Sequence, residues 1–375
     1  MPPVSPRRLV VSCLTIGSAI LSACSADSHS TFPSAIEKSG APRETLTKLD
    51  CVADVGTASI DCKSAAPSVT ASGDIIGGQN LYLKVTSSGV VRDVPNHTLT
   101  ANVTVQNLLN EAIGTPNGVL VDTAGIKVFF QSGPTVTAGT GTVTVTNYDG
   151  VDTFTGASQP YFKYSGILTK NQVSASKVWT FDVPATVTSF SFGVLVSTSV
   201  QPLIVINEVL ANPGGTITDS NGEWFELYNA GTRSVDLQGF FVRDSVASGI
   251  RPVHAIASSL IVPAGGYVVL GNTTNTIDNG GTPVDYAYGA ALALANSTDA
   301  IRIERLWGTD TLFIDGISYA SGLVSAQNGI SRELKNPTLV NNNMDGSNWT
   351  DASVLSVYGP VGRGTPKAQN SGYVP

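Results

Sequence analysis

The sequence predicts an all-β protein, and composition, turn residues and strand periodicity each support this fold class. The chain has 375 residues, of which 38 are glycine and only 13% are charged. β-Branched residues favour strands, whereas Gly, Asn and Ser favour the turns between them. A chain of this length can form two domains that each bury a core of their own.

Seven apolar runs separated by turn-forming residues predict the first domain, which we place at residues 67–200. In the second run Leu99, Ala101, Val103 and Val105 alternate with polar residues, so one face of that strand is apolar. Short strands at this spacing predict an immunoglobulin-like antiparallel β-sandwich, with a barrel as the alternative. The runs are 81–91, 98–109, 126–132, 142–149, 161–168, 176–184 and 189–199.

The N-terminus has the pattern of an export signal. Arg7 and Arg8 precede a short apolar stretch at residues 9–21, which is too short to span a bilayer as a helix. The stretch continues into Leu-Ser-Ala-Cys, which resembles the lipobox of bacterial lipoproteins. The resemblance implies that residues 1–23 are a lipoprotein signal peptide and that Cys24 is lipidated. An ordinary cleaved signal is the alternative.

Lipidation of Cys24 would place the protein in the cell envelope. Several acyl chains on one cysteine anchor a protein to a membrane far better than one chain does. Ser25 follows the cysteine, a residue that accompanies outer-membrane sorting in enteric bacteria. We therefore expect an exported, lipid-anchored protein of the bacterial envelope, in the outer membrane. Residues 24–66 are expected to form a flexible tether with a cysteine loop.

Two further cysteines, Cys51 and Cys62, are expected to form a disulfide. An exported chain folds in an oxidising compartment, and a Gly-containing turn separates the pair. A loop of this size contributes about 3 kcal/mol in the chain-entropy model. A zinc site would need additional Cys or His residues close by, and the sequence offers none there.

The second domain, residues 201–375, begins after a short hinge at residues 199–202 and carries a series of recognisable motifs. The motifs are INEVLANP (206–213), DSNGEWFELYN (219–229), SVDLQGFFVRD (234–244), LIVPAGGYVVL (260–270), LANSTDAIRI (294–303), DGISY (315–319), NWTDA (348–352) and GTPKAQN (364–370). In this order they resemble the lamin-tail domain over residues 203–370. The resemblance implies an immunoglobulin-like sandwich without catalytic residues of its own. Bacterial members are usually regarded as binding or anchoring modules.

Glu223 and Glu226 raise the question of a catalytic carboxylate pair. In a strand at residues 223–229 they would point to opposite faces, because side chains alternate. Two carboxylates on opposite faces cannot flank one glycosidic bond. One of the two must face the core, where it needs hydrogen-bond donors or a cation.

Calcium is the one metal that the sequence leaves open. Asp219, Asn221 and Glu223 have the spacing that begins an oxygen-ligand loop, and Glu208 in the preceding strand could complete a site. An EF-hand is excluded, because Ala230 occupies the twelfth position of the loop, where a bidentate acid belongs. A plain turn with surface acids is the alternative. No other cofactor is predicted.

Other chemistries have little support in the sequence. No metalloprotease, nucleophile-elbow or phosphate-loop motif is present. Nucleic acid is an unlikely partner, because residues 201–375 contain 15 Asp or Glu against 9 Lys or Arg. Exposed edge strands leave a homo-oligomer open.

Trp307 is the candidate binding residue, because it lies in a predicted hairpin turn where an exposed indole could anchor a partner. Alternatively it covers the open end of the sandwich. We expect a non-enzymatic surface protein whose lamin-tail sandwich binds protein or an envelope polymer. A metal-assisted or accessory hydrolase and a spacer without ligand are the alternatives.

Overall fold

A computed structural model describes residues 44–46, 48–64, 69–71, 75–76, 78–244, 253–320, 323, 328–339 and 342–375. The predicted signal peptide, Cys24 and most of the predicted tether lie outside these residues. Among the residues described, no helix is both long enough and apolar enough to cross a membrane.

The first half of the chain folds as two facing antiparallel sheets. One has the order β10-β11-β8-β13-β2-β3, with β5 paired to β13, and the other has the order β6-β7-β12-β9. β1 and β4 form a separate ribbon. The strands are β1 (Glu44–Leu46), β2 (Leu49–Asp54), β3 (Ser59–Ser64), β4 (Val69–Ala71), β5 (Ile75–Ile76), β6 (Leu83–Asp93), β7 (Thr98–Asn107), β8 (Ile126–Gly139), β9 (Thr144–Val145), β10 (Gly150–Asp152), β11 (Gln159–Tyr164), β12 (Lys177–Asp182) and β13 (Val187–Ser197).

The core of this sandwich confirms the predicted alternation. Leu99, Ala101, Val103 and Val105 on β7 are all buried and pack in one apolar cluster with residues from both sheets. Each of the seven predicted runs contains a strand, although the run at 142–149 contributes only the two residues of β9. The all-β immunoglobulin-like class is therefore confirmed.

The start of the first sandwich differs from the prediction. β2 pairs with β13 and with β3, so residues 49–64 belong to the larger sheet and not to a tether. Leu49, Cys51 and Ala53 are fully buried there. The apolar period of residues 49–53 is short, and the strand becomes recognisable only when β13, far away along the chain, pairs with it in the same sheet.

The second half of the chain forms another sandwich. Its sheets have the orders β21-β20-β15-β14-β24-β25 and β18-β17-β22-β23, and all pairs are antiparallel except β20 with β21. Two ribbons, β16-β19 and β26-β27, accompany them. The elements are β14 (Ile204–Leu210), α1 (Asp219–Gly222), β15 (Trp224–Asn229), β16 (Val235–Asp236), β17 (Phe240–Arg243), β18 (Val253–Ala255), β19 (Ile261–Val262), β20 (Tyr267–Gly271), β21 (Tyr286–Ala287), a 3-10 turn (Gly289–Ala291), β22 (Asp299–Trp307), β23 (Asp310–Tyr319), β24 (Arg332–Leu334), β25 (Trp349–Asp351), β26 (Val357–Tyr358) and β27 (Gly362–Arg363).

Both faces of the six-stranded sheet are covered. Phe225 and Leu227 on β15 face the main core between the two sheets. Trp224 faces the other way and packs in a small second cluster with Leu210 and Val269. The indole N–H of Trp224 donates to the hydroxyl of Tyr358 at 2.9 Å, so the C-terminal segment covers this outer face.

The segment expected to act as a hinge is hydrogen-bonded to the first sandwich. The backbone N–H of Gln201 donates to the carbonyl of Ala112 at 2.9 Å, and Gly114 donates to the carbonyl of Ser199 at 3.0 Å. Ile113 and Val200 form a β-bridge beside these bonds. These hydrogen bonds oppose rotation of the chain at residues 199–201, because such a rotation would break them.

Candidate functional site

Three glutamates form a row across the outer face of the six-stranded sheet. Glu226 on β15 lies opposite Glu208 on β14, and Glu208 lies opposite Glu333 on β24. All three are completely buried. We call these three residues the glutamate row.

A β-bulge in β14 places Glu208 in this row. The register of β14 against β15 shifts between Ile206 and Glu208, so two consecutive residues, Asn207 and Glu208, point to the outer face. Ile206 before the bulge and Val209 after it both lie in the main core. Strict alternation would have directed Glu208 into that core.

The C-terminal segment supplies the donors that satisfy the row. The backbone N–H of Thr365 donates to Glu208 at 2.8 Å, that of Lys367 to Glu226 at 2.5 Å, and that of Gly372 to Glu333 at 3.1 Å. Backbone donors of this kind are the partners that a buried carboxyl group requires. The row therefore holds the end of the chain against the sheet.

Side chains complete the same network. The Ser331 hydroxyl donates to Glu208 at 2.5 Å, and the Asn207 amide donates to Glu226 at 2.8 Å. The amide nitrogen of Asn370 donates to the carbonyls of Asn207 and Leu334 at 2.9 and 2.8 Å, which fastens the end of the GTPKAQN motif.

The Thr365 hydroxyl oxygen lies 3.1 Å from a Glu208 oxygen and 3.0 Å from a Glu333 oxygen. It has one proton and can donate to only one acceptor at a time. Burial, followed by the charge of Glu226, raises the pKa of Glu208 well above its usual range. Burial also raises the pKa of Glu226 to about 8.

Glu223 lies apart from the row. Its side chain is only 4% exposed and accepts a hydrogen bond from the backbone N–H of Leu294 at 2.9 Å. Burial raises its pKa to about 8, and the charges of Asp219 and Asp244 add to the effect. The side chains of Glu223 and Glu226 thus lie in different surroundings, and they do not form a pair, as predicted. Both side chains are buried, whereas the prediction placed only one of them toward the core. Glu223 is therefore not a surface acid.

The predicted calcium constellation does not come together. Asp219 lies near Glu223, but Glu208 belongs to the glutamate row, because strand pairing places it opposite Glu226. Asn221 is exposed and makes a turn, its N–H donating to the carbonyl of Thr218 at 3.0 Å. Within the described ranges no group of three or more His, Cys, Asp and Glu side chains is placed to hold a metal ion. The assignment of Glu208 to that site is wrong.

Trp307 lies at the tip of the β22-β23 hairpin, where it pairs with Asp310. Its side chain is half-buried, and the guanidinium carbon of Arg305 lies 5.2 Å from the centre of its ring. The same guanidinium lies 5.9 Å from the ring of Phe240. Burial lowers the pKa of Arg305 to about 10, which leaves it positively charged at neutral pH. Trp307 thus lies half-buried at the hairpin tip, beside a cation.

Cys51 and Cys62 form the predicted disulfide, with an S–S distance of 2.02 Å. They lie directly opposite each other in the β2-β3 hairpin, so the bridge joins the edge strand β3 to its neighbour β2. Cys24, the predicted lipidation site, is outside the described residues.

Sequence reasoning missed several residues of these sites. Glu333 has no distinguishing local pattern and enters the network only through strand pairing. Thr365 lies in the motif GTPKAQN, but its contact with Glu333 arises only from the return of the C-terminal segment. The motif GTPKAQN could have indicated this contact, because a polar segment with Gly and Pro at the end of a domain is a candidate for packing back onto the sheet. Glu111, which contacts the second sandwich, gave no signal at all.

Comparison with known proteins agrees with this architecture. Residues 197–321 match the family model described as Lamin Tail Domain. A crystal structure at 2.50 Å resolution of a DUF4876 family protein from Bacteroides thetaiotaomicron VPI-5482 aligns over 82% of this chain and 92% of that chain, with 10% identity and a TM-score of 0.28. No curated protein matches the chain. Residues 197–321, within the immunoglobulin-like sandwich of the second half of this chain, form a lamin tail domain.

Proposed function

We propose that this protein is a non-enzymatic, lipid-anchored protein of the bacterial envelope that displays its lamin tail domain as a binding module for protein or an envelope polymer. The observation that carries the proposal is the hairpin tip, where a half-buried indole lies beside a charged guanidinium. Tryptophan and arginine are the residues most enriched at the energetic centres of interfaces.

The burial and hydrogen bonding of the glutamate row support a binding role over a hydrolytic one. The glutamate row is completely buried beneath the C-terminal segment, and its oxygens accept hydrogen bonds from protein donors. A general acid or base must come within hydrogen-bond reach of a substrate. Carboxyl groups that hold the fold together in this way have no free oxygen to offer a substrate.

The bonded joint between the sandwiches supports display on a rigid arm. The backbone N–H groups of Thr232 and Arg233 in the second sandwich donate to the Glu111 carboxyl group of the first sandwich. A rigid arm presents a binding loop in a constant orientation, which lowers the entropic cost of binding. The same rigidity would suit a spacer without ligand, so the hairpin tip is the feature to test.

A photo-cross-linking amino acid at Thr309 in living cells tests the binding role, with the same amino acid at exposed Thr338 as the control position. We expect adducts at Thr309 that disappear in the Trp307→Ala and Arg305→Ala variants, because both remove the tip surface. Identical adducts at both positions, or none at Thr309, would favour the spacer.

The anchor is tested separately. The Cys24→Ser variant should lose incorporation of a labelled fatty acid and leave the membrane fraction, whereas Cys13→Ser should retain both. Retention of the label in Cys24→Ser would contradict lipidation at this residue. The result for the anchor does not depend on the result for the hairpin tip.

A further inference from the structure

Arg305 is a positive charge on the core-facing side of a strand. It follows Ile301 and Ile303 on that side of β22, and its strand partner on β17 is Phe240, a residue of the main core. The Arg305 side chain is only partly exposed. Charged groups in such positions are normally paired, because the loss of hydration disfavours the charge.

No carboxylate neutralises this charge within the described ranges. Glu304, the adjacent acid on β22, points to the opposite face and forms an ion pair with Arg243. Asp315 on β23 accepts the backbone N–H of Ile206 at 2.7 Å. None of the ion pairs between described residues includes Arg305. The acids of the neighbouring strands are thus used elsewhere.

The two terminal amino groups of the Arg305 guanidinium are open donors. Its central carbon lies 5.2 Å from the ring centre of Trp307 and 5.9 Å from that of Phe240. Aromatic rings attract a cation but leave its N–H donors unfilled. Of the three guanidinium nitrogens, Nε is buried and has no hydrogen-bond partner among the described residues, whereas the terminal nitrogens are not buried. The terminal nitrogens are therefore accessible to a ligand at the hairpin tip.

We propose that Arg305 binds a single carboxylate group of a protein partner, either on an acidic side chain or at a chain end. A guanidinium with both terminal amino groups free matches the two oxygens of a carboxylate with two parallel hydrogen bonds. The rings of Trp307 and Phe240 reduce hydration around such a pair, which strengthens it. This inference rests on the proposed binding role of the hairpin tip and names the chemical group that the tip recognises.

The charge of this half of the chain favours one carboxylate over a polyanion. Residues 201–375 contain 15 Asp or Glu against 9 Lys or Arg, and the exposed Asp310 lies opposite Trp307 in the hairpin. An acidic polysaccharide would bring many negative charges against this surface, and one guanidinium can pair with only one of them. A phosphate group carries more than one charge at neutral pH and would be only partly neutralised.

Fluorine NMR of the full-length protein labelled with 5-fluorotryptophan tests the proposal. The chain has four tryptophans, and Trp179, Trp224 and Trp349 are buried, so a ligand at the hairpin tip should shift the Trp307 signal alone. Trp307→Phe assigns that signal. The probes, at constant ionic strength, are Nα-acetyl-glutamate methylamide, N-acetylalanine, Nα-acetyl-glutamine methylamide, inorganic phosphate and a galacturonate oligomer.

The expected result is a saturable shift of the Trp307 signal with at least one of the two carboxylates. The glutamate compound carries a side-chain carboxylate and N-acetylalanine carries a chain-end carboxylate, so the tighter of the two identifies the source. The glutamine compound has the same shape as the glutamate compound but lacks the charge. It should bind about tenfold more weakly or worse than the glutamate compound.

Three variants locate the binding. Arg305→Met keeps an unbranched side chain against the two rings and should abolish the shift. Arg305→Lys keeps the charge but lacks the planar pair of donors, so it should weaken binding severalfold, and it keeps the test valid if Arg305→Met folds poorly. Arg302→Met is the matched control, because it removes an exposed guanidinium from the opposite face of β22, and it should change nothing. Circular dichroism melts establish that each variant is folded.

Any of three results would overturn the proposal. The first is no saturable shift with either carboxylate, and the second is equal binding of the glutamate and glutamine compounds. The third is tighter binding of phosphate or of the galacturonate oligomer than of both carboxylates.

Cross-linking from Thr309 separates this failure from failure of the binding role. Adducts that disappear in Trp307→Ala but persist in Arg305→Met would keep the binding role and remove carboxylate recognition. Absence of adducts in the parent protein would remove the binding role itself.

Discussion

The carboxylate of Glu111 and the residue Thr232 are joined by two hydrogen bonds of 2.6 Å, one from the backbone N–H of Thr232 and one from its hydroxyl. Glu111 also accepts the N–H of Arg233 at 3.0 Å. Glu111 belongs to the first sandwich and is 3% exposed, so one buried carboxylate caps a loop of the lamin tail domain.

Replacement of Glu111 by Ala should loosen this joint. Three donors would lose their acceptor, and a lost buried partner costs about 1–3 kcal/mol. Urea denaturation should show a lower midpoint, and small-angle scattering should show a larger radius of gyration. Asn110→Ala is the control, because its exposed side chain accepts a surface hydrogen bond from Lys170, and it should change stability by less than about 0.5 kcal/mol. Equal stability of Glu111→Ala and the parent protein would show that the contact does not hold the domains.

The glutamate row should make stability depend on pH. The folded pKa of Glu226 is about 8, above the usual carboxyl value of 4.5, so in this window the folded state keeps a proton that the unfolded state releases. The free energy of unfolding should therefore fall as the pH rises from about 5 to about 8. Urea denaturation across this range measures the slope.

Glu226→Gln tests whether the row causes that slope. Gln stays neutral and can still accept the N–H of Lys367, so the variant should show a shallower decline and gain stability relative to the parent at the alkaline end. Glu223, whose pKa is also about 8, adds a decline of the same sign, and Glu223→Gln should flatten it further. An unchanged slope in Glu226→Gln would refute this origin.

Thr365→Val should detach the C-terminal segment in part. The Thr365 hydroxyl contacts carboxyl oxygens of Glu208 and Glu333. Val has a similar shape but has no hydroxyl group, so both contacts would be lost. The expected loss is about 1–3 kcal/mol. Protection of the Lys367 and Gly372 amides from hydrogen exchange should fall first. Thr338→Val is the matched control, since that hydroxyl donates to Asn336 at the surface, and the protection pattern of this variant should equal that of the parent.

The Cys51→Ala/Cys62→Ala double variant should lose stability mainly in the first sandwich. The bridge closes a short hairpin loop, so the expected cost is about 2–4 kcal/mol. Reduction of the parent protein should reproduce the effect. The near-ultraviolet signal of Trp179, a core residue of the first sandwich, reports the change. Loss of that signal at the same urea concentration with and without the bridge would contradict a stabilising role.

The sequence alone determined the features that depend on local pattern. Alternating residues such as Leu99 and Val103 predicted strands, because one apolar face must be buried. The spacing of Cys51 and Cys62 predicted their disulfide, and the motif order from residue 206 onward predicted the lamin tail domain. Each of these patterns can be read from neighbouring residues, or from the order of motifs along the chain.

Only the tertiary structure decided the environment of the acids. A bulge at Asn207 turned Glu208 outward, and strand pairing then placed it between Glu226 and Glu333, which lies 125 residues along the chain from Glu208. The returning segment at Thr365 buried all three. Local periodicity contains no information on which distant strand becomes a neighbour, and burial is a property of that neighbourhood. Glu223 likewise is buried, and the loop at residues 290–296 supplies a donor to it through the backbone N–H of Leu294.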